Sequence, residues 1–275
     1  EYVARAWSVA MSGRPGPVVI ALPEDMLCDV VEATDRPRVE RPRQAADASS
    51  LKDFATQLSE ATNPVAIIGG AGWDDGAARD FAAFATAHGI PVAAGFRRQD
   101  AIPNDCPVWA GNLGYGPNPM LAARIKAADL IIAVGARLGE ATTDGYTLIA
   151  PDHPGQALVH VHPDPNELGR VYRTDLAICA GMAEFAAAAL ALPAPTSLRP
   201  AGIEAHAEWL AWNTPAPFDT RLDLGMCVAA MREQLPADTI ICNGAGNFSG
   251  WWHRYWPYGG YGTQLAPTAG AMGYG

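Results

Sequence analysis

Residues 129–140 read DLIIAVGARLGE. The unbroken aliphatic run from Leu130 to Val134 fits a strand buried on both faces, the pattern parallel strands show when helices cover both sides of a sheet. Gly135 and Gly139 mark a turn at its carboxyl end. Outward from this segment the same rhythm repeats. PVAIIGG (64–70), IPVAA (90–94), ALVHVH (157–162) and DLAICAG (175–181) read as further strands. Helical patterns separate them: one capped by Ser50 and running to Ala61, one from about Gly76 to Gly89, NPMLAARIKAA (118–128) and MAEFAAAALAL (182–192). Strands alternating with helices and joined by right-handed crossovers predict a doubly wound parallel sheet over residues 51–192, an α/β unit of Rossmann-like or DHS-like type.

The flanks read differently. Residues 1–12 carry Tyr2, Val3, Ala6, Val9 and Ala10 at helical spacing, Gly13 ends that helix, and VVIAL (18–22) follows as an expected buried strand. Residues 1–28 thus predict the end of one α/β unit. Residues 29–50, rich in Pro, Arg, Asp and Glu without periodicity, predict a solvated linker, and a Pro- and Ala-rich stretch places a second linker at 193–217. Residues 218–275 predict the start of a third unit, with a helix in LDLGMCVAAMREQL, the strand DTIICNG and a helix holding Trp251, Trp252, Tyr255 and Trp256.

Composition narrows the function. Apolar residues make up 49% of the chain and charged ones 17%, which suits a packed globular protein and argues against a disordered one. A formal charge of −10 without a basic stripe argues against a nucleic-acid partner. No apolar run reaches the ~20 residues a bilayer span needs, and no signal peptide opens the chain, so a cytoplasmic protein is expected. Cys28, Cys106, Cys179, Cys227 and Cys242 lack zinc-ligand spacing and read as buried free thiols. The aromatic cluster from Trp251 to Tyr261 reads as core or interface rather than a base-stacking platform, because no Lys or Arg run accompanies it.

Candidate chemistry sits in the glycine turns. GGAGW (69–73), GNLGYG (111–116) and VGARLGE (134–140) follow strands, where backbone amides can approach a phosphate. His160 and His162 share one face of a strand with Asp164 beyond; no third metal ligand is evident, and position 162 is where dinucleotide folds often place an acid for the ribose. CNGAGNFSGWW (242–252) could gather amides and the Asn247 side chain around an anion, or be an ordinary turn.

Taken in order, GRPGPVVIALPEDM, PVAIIGGAG, ADLIIAVGARLGE, HVHPDPNELGR, NGAGNFSGWW and GAMGYG resemble the thiamine diphosphate-dependent enzymes, and among them the acetolactate synthase-like group. The resemblance implies the end of a pyrimidine-binding domain, a whole central domain and the start of a diphosphate-binding domain, with active sites shared in a homodimer or homotetramer. It implies thiamine diphosphate held by Gly246, Asn247 and Phe248 at the diphosphate and by Gly270 and Met272 at the aminopyrimidine. It implies Mg²⁺ as well, with its Asp and Asn ligands expected after Gly275, and a proton-relaying glutamate expected before Glu1. No catalytic or metal residue is therefore assigned here, and this stretch alone is expected to be inactive. The central domain of such enzymes holds FAD, ADP or nothing, and Gly70, Gly72, Gly111, Leu113, Gly135, Arg137 and His162 fall where nucleotide contacts are expected. The implied reaction is decarboxylation of a 2-keto acid, ending in protonation or carboligation. The alternative is a non-catalytic nucleotide-binding or regulatory remnant of the family.

Overall fold

The computed structural model describes residues 1–35, 37, 39–151 and 155–273. Its centre is a six-stranded, wholly parallel sheet: β1 (Pro64–Ile68), β2 (Val92–Ala94), β3 (Trp109–Asn112), β4 (Leu130–Val134), β5 (Ala157–Val161) and β6 (Leu176–Ile178). Their spatial order is β3-β2-β1-β4-β5-β6. The chain builds outward from β1 in one direction and then from β4 in the other, so the direction of winding reverses between these two strands, where open sheets bind ligands.

Helices cover both faces. Ala66, Ile68, Ile132 and Val134 point to one side and pack with Phe54 and Leu58 of α2 (Ala48–Glu60), Phe81 and Phe84 of α3 (Asp75–His88) and Phe185 of α5 (Met182–Leu190). The alternate residues Val65, Ile67, Ile131 and Ala133 point to the other side, against Leu121 and Ile125 of α4 (Pro119–Ala127) and Ala205 of α6 (Ala201–Asn213). The period-two alternation of strand side chains thus feeds two cores from one run of apolar sequence.

The flanking expectations need four corrections. Helix α1 (Tyr2–Met11) forms, but VVIAL does not become a buried strand: Val19 is 92% exposed, and no described residue pairs with it. The cap of α2 is Asp47, whose carboxylate accepts from the Ser50 amide at 2.9 Å, so Ser50 lies in the first turn rather than at the cap. Residues 193–217, expected as linker, hold the thirteen-residue α6, which packs on β3 through Trp209 against Gly111. The five cysteines are free, yet Cys106 is the buried one while Cys28, Cys179 and Cys242 are exposed.

The last part of the chain holds α7 (Leu224–Gln234), α8 (Ser249–Tyr255) and a short parallel pair, β7 (Ile241–Cys242) and β8 (Gln264–Leu265). Val228, Ile241, Tyr255, Trp256 and Tyr258 form its core, with Trp251 and Trp252 packed on it, so the aromatic cluster is packing. None of the described helices is long and apolar enough to cross a membrane.

Candidate cofactor sites

Two places combine loops at carboxyl ends of parallel strands with polar groups that a ligand could use. The first is the winding reversal between β1 and β4. Gly70 and Gly135 both have φ of +71°, which an L side chain rarely adopts. The turns also press on each other. A Cβ on Gly70 would strike the Gly135 carbonyl oxygen, and one on Gly135 would strike the Gly69 carbonyl oxygen and lie 2.6 Å from Met182 Sδ. These glycines are therefore required for backbone to approach backbone.

The remaining predicted nucleotide residues divide. Leu113 is wholly buried, and a Cβ on Gly111 would meet the Trp209 ring at 3.0 Å, so both serve packing. Gly72 lies beneath the guanidinium of Arg41, with a built Cβ 2.9 Å from its Nη2. Arg137 reaches across to Glu167, a contact the sequence reading did not anticipate. The Glu167 side chain is 2% exposed and takes bonds from Arg14 (2.5 Å), Arg170 (2.8 Å) and Arg137 (3.2 Å). Burial by itself would raise the Glu167 carboxyl; the bond from Arg137 and the charges of Arg137, Arg170 and Arg14 overcome this and hold it below its usual value. The three guanidiniums stay about half exposed. One carboxylate thus organises three cations at the mouth of the sheet, and their free N–H groups suit a phosphate.

His162 sits beside this group, 2% exposed. Its Nδ1 lies 3.0 Å from the Asp164 amide and 3.2 Å from the Asp164 carbonyl oxygen, so the Asp164 backbone holds the ring in place. His160 is 3% exposed, with Nε2 at 2.8 Å from the Ala136 carbonyl. Burial lowers both imidazoles, so they are neutral at pH 7. No group of three or more metal-ligating side chains occurs among the described residues. The Asp164 carboxylate accepts from Asn166 instead.

The second place lies at the carboxyl ends of β7 and β8, adjacent parallel strands whose loops emerge side by side. The loop after β7 carries Gly246, Asn247 and Phe248; the loop after β8 carries Gly270, with φ of +71°, and Met272, 91% exposed. Among the described residues, the backbone amides of Gly244 through Phe248 donate to no protein acceptor, while the amide of Ser249 turns back to the Gly246 carbonyl. Asn243 is 2% exposed, and its Oδ1 is buried without a partner. A Cβ on Gly244 would meet nothing within 4 Å. Unlike the sheet turns, this loop has open space and unsatisfied donors, a set that fits an anionic diphosphate.

The proton-relaying glutamate expected before Glu1 and the metal ligands expected after Gly275 lie outside the described residues, as does Gly275 itself. Glu1 stands exposed at the start of α1, where its carbonyl accepts from the Arg5 amide at 2.9 Å. That contact is a helix-end bond rather than a catalytic one.

Residues 51–189 match the family model for the central domain of thiamine pyrophosphate enzymes. The chain is 25% identical over 289 residues to the acetolactate synthase large subunit of Corynebacterium glutamicum, covering 100% of this chain and 45% of that protein. It is 31% identical to a sulfoacetaldehyde acetyltransferase of Rhodobacter capsulatus, over 64% of this chain and 30% of the relative. In fold it is similar to a putative thiamin diphosphate-dependent enzyme from Mycobacterium smegmatis, with a TM-score of 0.72 at 20% identity over 100% of this chain and 52% of the other. The chain spans about half the length of these relatives, or less. The winding order of the sheet and the match over residues 51–189 together show that this chain belongs to the thiamine pyrophosphate enzyme family.

Proposed function

We propose that this chain is part of a thiamine diphosphate- and Mg²⁺-dependent enzyme that decarboxylates 2-keto acids or joins them to a second carbonyl compound. The observation that carries the reading is the pair of loops after β7 and β8, open and rich in unpaired amides, in a chain of this family. Gly246, Asn247 and Phe248 would hold the diphosphate through their amides, and Gly270 and Met272 would lie against the aminopyrimidine. Bound there, the cofactor supplies a nucleophilic carbon and an electron sink for loss of CO₂. The protein's part is to bind and orient it; no residue between Glu1 and Gly275 is assigned the proton relay or the metal.

A nucleotide at the sheet mouth belongs to the same proposal. Arg14, Arg137 and Arg170 would take the phosphates of FAD or ADP, with Gly70, Gly72, Gly135 and His162 at the edge of that site. The partition into units 1–28, 51–192 and 218–275 follows the same reading, as does assembly into a homodimer or homotetramer.

The test is titration of the native polypeptide with thiamine diphosphate and Mg²⁺, followed by intrinsic tryptophan fluorescence, with CO₂ release measured on a panel of 2-keto acids. Saturable binding with turnover of at least one keto acid is the expected result. Nucleotide binding without any thiamine diphosphate response would overturn the enzyme reading.

A further inference from the structure

Residues 97–104, which follow β2 in the large sheet, lie against the last part of the chain in a nearly continuous series of hydrogen bonds. The Gln99 amide donates to Gln264 Oε1 at 2.7 Å, and Gln99 Nε2 donates to the His253 carbonyl at 2.7 Å. Asp100 Oδ2 accepts from the amides of Gly262 and Gln264, and Asn104 exchanges backbone and side-chain bonds with Tyr258. At one end of this seam stands Arg97. It is 5% exposed and held at a φ of +57°, unusual for a residue with a side chain. Its Nη1 donates to the Pro267 carbonyl at 2.8 Å and its Nη2 to Ser249 Oγ at 3.3 Å.

Those two acceptors bracket the proposed cofactor residues. Ser249 follows directly on Gly246, Asn247 and Phe248, and Pro267 precedes Gly270 and Met272 by a few positions. In the first loop the carbonyls of Gly246, Asn247 and Phe248 accept from the amides of Ser249, Gly250 and Trp251, bonds local to that loop and the start of α8. The amides of Gly244 through Phe248 are unpaired among the described residues, and the second loop returns one backbone bond, from the Gly270 amide to the Pro267 carbonyl. That carbonyl is the one Arg97 also grips.

We propose that Arg97 is a positioning residue for thiamine diphosphate: one buried guanidinium from the large sheet ties the loop after β7 to the loop after β8 and fixes their separation. The inference rests on the cofactor assignment made above. A planar guanidinium can serve two acceptors at once in a fixed geometry, whereas an ammonium on a flexible stem satisfies them less well. Charge-assisted bonds of this kind are the stronger class, so their loss reaches the bound cofactor through two loops.

The experiment compares native polypeptide with Arg97→Met, Arg97→Lys and Ser249→Ala. It reads thiamine diphosphate half-saturation by tryptophan fluorescence, hydrogen exchange at amides 243–251 and 266–272 without cofactor, and keto-acid KM at saturating cofactor. The expected result for Arg97→Met is a rise in half-saturation of about tenfold or more, with faster exchange in both loops and an unchanged keto-acid KM. Arg97→Lys recovers part of the affinity, and Ser249→Ala, which leaves the charge in place, gives a rise of a fewfold with faster exchange in the first loop. If Arg97→Met does not fold, the Lys and Ala variants carry the test alone. Unaltered cofactor affinity and exchange in the variants, against a wild type that binds, overturn this inference and leave the proposed function standing. A rise confined to keto-acid KM assigns Arg97 to substrate through its unpartnered, buried Nε and also overturns it. A wild type that binds no thiamine diphosphate overturns the proposed function and this inference together.

Discussion

The glycine turns of the large sheet and the glycine loop after β7 look alike in sequence, as GGAG and NGAG, and are opposite in structure. In the sheet, a side chain on Gly70 would meet the Gly135 carbonyl and one on Gly135 the Gly69 carbonyl, so the space is already filled by the facing turn. After β7, Gly244 faces open space, and five successive amides have no acceptor among the described residues. A glycine-rich turn after a strand therefore says that something must come close. Whether it is another strand or a ligand depends on the neighbour. The same distinction shifts the proposed nucleotide contacts at the sheet mouth from the glycines toward the arginines gathered by Glu167.

This contrast can be broken by substitution. The largest effect is expected at Gly70→Ala, where the new Cβ would strike the Gly135 carbonyl at a backbone conformation alanine resists. The variant should lose at least ~3 kcal/mol in chemical denaturation or fail to fold. A loss under about 1 kcal/mol would show that the two turns separate easily and that the crevice is adaptable.

The seam between the two regions gives a pH prediction of similar size. Burial, with the Arg97 charge beside it, pushes the His253 imidazole from 6.5 down to about 4. Its folded-state value lies below the unfolded one, so its contribution to stability is fully present above about pH 6.5 and is lost as pH falls toward 4. The loss is on the order of 3 kcal/mol at most. Denaturation midpoints measured across that range should fall, and His253→Gln should flatten the slope; an unchanged slope in the variant would assign the acid sensitivity elsewhere.

A smaller effect is expected at Glu167→Gln, which removes the buried charge that Arg14, Arg137 and Arg170 share. The half-exposed guanidiniums can turn to water, so the cost should be ~2 kcal/mol rather than that of a wholly buried pair. Added ADP should recover part of it if the arginines take phosphate. The smallest effect is expected at Gly244→Ala. Its surroundings are open, and stability should change by less than about 0.5 kcal/mol, while thiamine diphosphate half-saturation rises. A stability loss as large as that of Gly70→Ala would erase the contrast between the two kinds of loop.

Much of the large sheet was legible because its strands carry the signal themselves. Leu130–Val134 and Pro64–Ile68 are apolar runs too short for helices and bounded by glycine, and the helices between them repeat at their own period. The strands that escaped notice are β3, WAGN, and β8, QL, which have no such run. Helix α6 hid within a composition that reads as linker, and it is held by Trp209 packing on β3 rather than by its own pattern. VVIAL failed in the reverse sense, since an apolar run becomes a strand only when another strand accepts its hydrogen bonds.

The sequence by itself determined the alternation of elements and the family resemblance, because burial on both faces of a parallel sheet imposes apolar runs that local reading detects. The order of the strands, the grouping of Arg14, Arg137 and Arg170 around Glu167, and the reach of Arg97 to Ser249 and Pro267 were decided by the tertiary structure. Arg14 and Glu167 stand 153 residues apart, and Arg97 and Pro267 stand 170 apart. A charged side chain carries no periodicity that names its partner, so pairs at such separations exist only once the sheet has brought its loops to one edge.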